Sequence, residues 1–498
     1  MKSLGLFKNF RFILFLSSFL IFLWLIIIGV VSIDPDFGWH LKFGEIIQST
    51  QSIPKLDPFS YTMPSYNFIN HEWLTDLLIA LFYPIGKELL LSAAFALITI
   101  FALVIQAKNV SKKWFIVLFI LGLFAMNPIF GIRPQLISFL FFSVILTVLL
   151  NDAIYKKIFY FLPLLFLLWA NLHGGFVMGI VFFGIGVILK MIKEKGFYVK
   201  DAIVFIFCIV FTLINPYGIN LWKEIIISAT DTNLRWSIAE WFPTFLFFNF
   251  PLIILWVISF VLFIKYFKKL DLILKILYLM LFLWGLSSNR NIPFFILISI
   301  IIISKGFDFL YADLGKYKFG RQRFLKLYFA IGTVFIFLTV LSAIFSFINL
   351  RLYQKVDPYP TNAVAFLKEN SSSGQLFSTY NWGGFLIWKL PEKKVFVDGR
   401  MPSWKMKSPP KGQSENAFLE WNKIQDSKIS VKTVIKKYKI DTFLLPLTRE
   451  KNEKLAKINN FALSLLRIKQ SGPKEFIRQI EDLGMKEVYK DSTVVIYR

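Results

Sequence analysis

Asp34 and Asp36 stand two residues apart, with His40 four residues further on, and all three follow directly on the apolar run Phe12–Val31. Two carboxylates and an imidazole thus sit where a long apolar helix gives way to water. Acids at i and i+2 can hold a divalent metal such as Mg or Mn together with a phosphate, or one of them can act as general base on an incoming hydroxyl. The plainer alternative is that Asp34 or Asp36 caps a helix. Pro35 stiffens the pair and favours a shaped site. His40 and His71 are candidates for ligand, proton carrier or orienting partner, and Glu72 lies beside His71.

Cations of matching interest are Arg133 and Arg290, each isolated at the end of an apolar run. A guanidinium there suits a phosphate through bidentate hydrogen bonds, and Pro134 and Pro293 mark helix starts whose N-termini also favour an anion. The alternative is a snorkelling anchor. Trp39, Trp73, Trp236 and Trp241 read as an interfacial aromatic belt, with sugar stacking open to one or two of them. His173 lies in the polar stretch Asn171–Gly175. Asn381–Phe385 carries Trp382 and a Gly pair that implies close backbone approach or a special turn. Val397–Arg400 reads as a strand followed by a turn that exposes Asp398 and Arg400, or as a purely structural turn. No Walker loop, zinc signature, G-x-S-x-G or dinucleotide fingerprint occurs.

The elements that must position these residues are membrane helices. The chain has 498 residues, 56% hydrophobic and 18% aromatic. Repeated apolar runs of bilayer-spanning length predict a polytopic α-helical membrane protein. Eleven spans are expected, at 12–31, 88–107, 114–132, 135–150, 154–171, 176–192, 201–214, 250–267, 271–286, 292–304 and 327–349. The first lacks a cleavage site and reads as an uncleaved span. Trp73–Tyr83 is too short to cross and is expected to be an interfacial or re-entrant helix ending at Pro84. The net charge of +25 does not call for nucleic acid. With the N-terminus inside, the inner segments hold 22 Lys and Arg against seven in the outer loops before residue 350, as the positive-inside bias requires. The outer face then collects Asp34–His40, His71–Trp73, Arg133, Asn171–Gly175, Glu240-Trp241 and Arg290, with all three His residues. The lone Cys208 excludes a disulfide framework.

Residues 1–350 therefore form a membrane domain with a long first outer loop, 32–87. Residues 351–498 form a separate α/β domain, extracytoplasmic by parity. Its expected strands are Gln375–Thr379, Val395–Asp398, Thr442–Leu445 and Thr493–Tyr497. Its expected helices are Asn362–Glu369, capped by Thr361, and 415–426, 430–438, 450–459 and 474–483.

An acidic pair after the first span, a long first outer loop, many spans and a C-terminal extracytoplasmic domain resemble the GT-C superfamily of integral-membrane glycosyltransferases. Asp34–His40, Ile53-Pro54, Asp57–Thr62, His71–Leu74, Asn171–Gly175, Asn381–Phe385 and Val397–Arg400 are similar to a bacterial GT-C-like group. The resemblance implies transfer of a sugar from a polyprenyl-phosphate donor to a glycan, lipid or protein acceptor at the outer face of the bilayer. The acid that activates the acceptor or helps hold a metal maps onto Asp34 or Asp36. The lipid phosphate falls to Arg133 and Arg290 by position, and Glu72 and Glu240 are candidates for a second acid. Tyr380–Phe385 is a faint echo of the WWDYG-type motif of oligosaccharyltransferases. Direct displacement of the phosphate predicts inversion. A glycolipid flippase would need ionisable residues deep in the spans, which are nearly free of charge. A non-catalytic envelope-assembly protein is the third reading.

Overall fold

The computed structural model describes residues 19–126, 129–196, 198–246, 249–353, 359–447 and 473–498. Two compact units result. The first comprises Met1–Ile33, Phe82–Ala229 and Arg235–Leu350, and the second Asp34–Leu81, Thr230–Leu234 and Arg351–Arg498. The second unit is thus built from the distal domain together with most of the expected first outer loop.

The first unit is helical. Among the described residues, four helical stretches are long and apolar enough to cross a bilayer: Trp73–Lys108, Asp152–Leu172, Phe176–Glu194 and Asn289–Lys316. Shorter apolar helices are Phe19–Val31, Phe115–Ala125, Gln135–Leu150, Phe250–Lys265 and Leu272–Ser287. The Ile292–Asp313 helix is central, with Phe295 to Ser304 buried. It packs on the Phe115–Ala125, Phe250–Lys265 and Leu272–Ser287 helices. Apolar side chains on other faces, such as Phe101, Ile206 and Val257, are exposed, as lipid-facing positions would be.

Trp73–Ile105 is two helices joined across a kink at Gly86 and Lys87, so the expected short helix does start at Trp73, and it ends just past Pro84 rather than at it. Lys87 has φ 47°, and it is these two residues, not the proline, that leave helical geometry. The 154–171 run is likewise interrupted, by a 3₁₀ turn at Phe159–Phe161 just ahead of Pro163.

The second unit holds a four-stranded sheet, ordered β1-β2-β4-β3, from β1 (Gln375–Ser378), β2 (Ile440–Pro446), β3 (Glu487–Lys490) and β4 (Val494–Tyr497). β1 and β2 are parallel, which demands a long crossover, and the other pairs are antiparallel. The crossover carries the helices Gly383–Lys389, Ala417–Gln425 and Val431–Tyr438, the last two capped by Asn416 and Ser430. Pro473–Asp482 follows β2. The expected helix 450–459 lies outside the described residues. Thr361 does not cap the helix it precedes in the expectation: it is the first helical residue, and Pro360 occupies the cap position.

Val395–Asp398 is not a strand of the sheet. It runs instead beside residues 59–62: Val395 N donates to Phe59 O at 3.0 Å, Tyr61 N to Val395 O at 3.2 Å and Thr62 Oγ1 to Phe396 O at 2.6 Å. With its backbone pairing satisfied there, the run joins the first-loop segment to the sheet's core. That core is shared by Trp39, Phe43, Met63 and Phe68 with Phe377, Val397, Trp404, Phe443 and Ile496.

Candidate active site

Asp34 and Asp36 hold different roles. Asp34 Oδ1 accepts a hydrogen bond from Asp36 N at 2.9 Å, an Asx-type turn that starts the Phe37–Thr50 helix. Asp36 occupies the N-cap position, yet its side chain makes no capping hydrogen bond. The turn-forming acid is Asp34, and the Asp36 carboxylate is directed elsewhere. It lies against Gly399, where an added Cβ would overlap Asp36 Oδ1.

Two glycines allow this approach. A Cβ at Gly38 would overlap the Gly384 carbonyl, and one at Gly384 would overlap the Pro35 carbonyl. The close backbone contact expected of the Asn381–Phe385 motif is therefore made with the Asp34–His40 motif. Phe37 and Trp388 close the same interface edge to face, with ring centroids 5.1 Å apart. Trp382 is buried in the 3₁₀ turn Tyr380–Trp382 that leads into Gly383–Lys389.

One turn beyond Asp36, the buried His40 is gripped by two buried acids. Its Nδ1 lies 2.6 Å from Asp76 Oδ1 and its Nε2 3.5 Å from Glu72 Oε2. Asn70 fixes both: its Nδ2 donates to Asp76 Oδ2 at 2.6 Å and its Oδ1 accepts from Glu72 N at 2.9 Å. His71 Nε2 stands 3.4 Å from Glu72 Oε1 on the more exposed side. Burial pulls the His40 pKa down, but the fields of Asp76, Glu72 and Asp36, with the hydrogen bond to Asp76, outweigh it and raise it to about 9. The hydrogen bond of the ring is to Asp76, and Glu72 stands at ion-pair distance on the other nitrogen. Glu72 and Asp76 share one face because they lie at i and i+4, the latter in the first turn of the Trp73–Ile105 helix.

His40, Glu72 and Asp76 can each turn a ligand atom to one point, all within 4.8 Å of one another. One imidazole and two carboxylates suit a divalent cation of the Mn or Mg kind, which would take the place of the imidazole proton. Asp34 and Asp36, the pair expected from spacing to hold a metal, are not in that group.

Asp398 and Arg400 are not exposed, contrary to the expectation from the Asp-Gly turn. Arg400 Nε and Nη2 bind Asp398 Oδ1 and Oδ2 at 2.8 and 2.6 Å, and Nη2 also meets Asp57 Oδ1 at 2.9 Å. These side chains are at most 1% accessible. The rings of Phe59, Phe68 and Trp404 surround the guanidinium at 4.9, 5.0 and 5.0 Å. Asp57 also accepts from Phe59 N and Ser60 N at 3.1 and 3.0 Å. A charge this deeply buried needs partners on both sides, and the two carboxylates supply them.

In the first unit, Arg133 and Arg290 are brought to the same acid. Arg133 Nη1 binds Glu240 Oε1 at 2.7 Å. Arg290 packs over Trp241, with its guanidinium 5.1 Å from the ring. Burial pushes the Glu240 carboxyl up, but Arg133 and Arg290 together hold it below its ordinary value. The arrangement is stitched by Ser288 Oγ, which donates to Glu240 O at 2.9 Å and accepts from Arg290 N at 3.3 Å. Glu240 thus lies in the field of both guanidiniums. His173, also in this unit, is buried with Nδ1 2.6 Å from Ser138 Oγ.

Roles for Asp57, Asn70 and Asp76 escape the sequence reading. Asp76 carried a signal, an acid inside an apolar helix one turn after Glu72. Asp57 carried one only as the first residue of the Asp57–Thr62 motif, with no role attached, and Asn70 carried none beyond lying in a polar loop segment.

No family model matches the sequence, and no curated protein matches it. Solved structures do resemble it in fold. The archaeal oligosaccharyltransferase AglB from Archaeoglobus fulgidus, in complex with an inhibitory peptide and a dolichol-phosphate, matches with TM-score 0.51 and 12% identity, over 83% of this chain and 65% of that one. The apo oligosaccharyltransferase of the same organism gives TM-score 0.47 and 11% identity, over 86% and 69%. Its form tethered to an acceptor peptide with the NVT sequon gives 0.49 and 12%, over 82% and 64%. This chain thus spans about two thirds of the length of those proteins. The likeness is one of fold, to the archaeal oligosaccharyltransferase with bound dolichol-phosphate.

Proposed function

We propose that this protein is a membrane glycosyltransferase that moves a sugar from a polyprenyl-phosphate-linked donor to an acceptor hydroxyl, with Asp36 as general base. The observation that carries this reading is the Asp36 carboxylate, which opens a helix without capping it and lies one turn from the His40–Glu72–Asp76 cluster. The GT-C fold supports it, as does the dolichol-phosphate bound to the neighbouring structure.

In this mechanism Asp36 takes the proton of the acceptor hydroxyl as its oxygen attacks the anomeric carbon. The bond from that carbon to the phosphate oxygen breaks, and polyprenyl phosphate leaves with the electron pair. One displacement inverts the anomeric centre. His40, held by Asp76 and facing Glu72, ties the helix that Asp36 opens to the two acids. A divalent cation, when bound, would sit on His40, Glu72 and Asp76 and supply further positive charge there. Arg133 and Arg290 would receive a lipid phosphate, since guanidinium forks match its oxygens.

The reading extends to topology. The charge bias supports about eleven spans, a cytoplasmic N-terminus and an extracytoplasmic second unit in a bacterial cytoplasmic membrane. The test is sugar transfer in proteoliposomes from a panel of polyprenyl-phosphate hexoses. Asp36→Asn should lower the rate by about 10²–10⁴-fold, the usual contribution of a general base. Asp34→Asn, which weakens a turn, should lower it far less. Full activity of Asp36→Asn would remove the base assignment.

A further inference from the structure

Resting on the reading of Asp36 as base, we infer that Gly399 is a positioning residue, and that the Asp398–Arg400 turn of the distal segment forms the seat that aims the Asp36 carboxylate. The seat has three layers. Gly399 meets Asp36 Oδ1 directly, so closely that no side chain fits between them. The turn that presents Gly399 is closed by the residues on either side of it: Asp398 Oδ1 accepts both Arg400 N, at 3.0 Å, and Arg400 Nε, at 2.8 Å. The turn is in turn anchored to the first-loop segment, because Arg400 reaches Asp57 and Val395 pairs with Phe59 and Tyr61.

A structural role alone would not require the contact at Gly399. Burial of the Arg400 pair already fixes the turn, and Gly38 with Gly384 already fixes the helix approach. What the bare Cα at 399 adds is room for the Asp36 carboxylate and a wall behind it. A methyl group there would push the carboxylate back by on the order of 1 Å or more, and a displacement of that size in a reacting group costs about 10²-fold in rate.

The experiment uses the full chain in detergent and in proteoliposomes. Seating is read by carbodiimide labelling of Asp36, with Asp34 as internal standard, quantified by peptide mass spectrometry. The chemical consequence is read by release of hexose from polyprenyl-phosphate hexoses, with water as acceptor. Gly399→Ala should change the Asp36-to-Asp34 labelling ratio several-fold and lower kcat about 10²-fold, with KM for the donor nearly unchanged. In an Asp36→Asn background the same glycine substitution should have no further effect on kcat. An unchanged labelling ratio in Gly399→Ala overturns the inference, as does an equal kcat loss with and without the Asp36 carboxylate. If Gly399→Ala does not fold, Arg400→Lys, which keeps the charge but loses the bidentate clamp, takes its place with the same two outcomes. A changed labelling ratio with full activity of Asp36→Asn would keep the seat and sink the base.

Discussion

Replacing Arg400 by methionine leaves Asp57 and Asp398 facing each other in the core of the second unit with no counter-ion. Both carboxylates are inaccessible to water and the guanidinium between them is 1% accessible, so solvent cannot take over its role. Breaking a buried ion pair from one side costs about 3–5 kcal/mol. For a unit of this size each kcal/mol shifts the midpoint by about 2–4 °C, so Arg400→Met should lower the melting temperature by roughly 6–20 °C. The triple variant Asp57→Asn, Asp398→Asn, Arg400→Met removes all three charges and should recover most of that loss, because a neutral replacement of a buried ion triad is often tolerated. Trp404 stacks on Tyr66 at 4.3 Å and lies beside the guanidinium, so it contributes to a fluorescence melt that can be checked by calorimetry. A single variant that melts within 2 °C or so of wild type, or a triple variant no better than the single one, would refute the argument.

Glu240→Gln should strengthen binding of radiolabelled polyprenyl phosphate several-fold, because the carboxylate competes for Arg133; weaker binding would mean that Glu240 aligns the guanidinium instead. The folded-state pKa of Glu240 is depressed, so its contribution to stability is fully present above the unfolded value and lost as pH falls through the folded one. Wild type should therefore lose more stability than Glu240→Gln on acid titration, and parallel curves would count against the pair. Mn titration followed by electron paramagnetic resonance should show one protected site that His40→Ala and Asp76→Asn both abolish; a site retained in both variants lies elsewhere. Gly384→Ala should destabilise by about 1–3 kcal/mol through overpacking on the Pro35 carbonyl, and an unchanged melt would mean that the helices can part without loss.

The membrane helices were legible because a bilayer demands long apolar runs, and Gln135–Leu150 and Phe176–Glu194 fall close to where hydropathy puts them. Breaks within runs were less so. Pro84 is the stronger breaker by local rules, yet the kink falls two residues beyond it, at Gly86 and Lys87. Asp34, Asp36, His40 and Glu72 stood out because acids and imidazoles are scarce in so apolar a chain, and three of them do approach one another. Residue type and spacing could not reveal that Asp398 and Arg400 are buried. The second carboxylate on Arg400, Asp57, is more than three hundred residues away, and an Asp-Gly turn looks the same whether solvent or a carboxylate lies beyond it. The Arg133–Glu240 pair, 107 residues apart, was hidden for the same reason.

The second unit is made from segments that leave the ribosome far apart in time. Asp34–Leu81 emerges early, whereas its sheet and the Asp398–Arg400 turn lie beyond Arg351. At about 5–20 residues per second, the interval is roughly 15–50 s. During it the apolar face of Phe37–Thr50, with Trp39, Phe43 and Ile47, has no core to enter, and the acids around His40 lack the wall they later meet. The nascent protein must therefore wait with an exposed amphipathic segment that invites early capture by a chaperone or by the lipid surface. Mutations that slow completion of the distal segment should then appear first as degradation of newly made chains, well before any loss in the specific activity of those that finish folding.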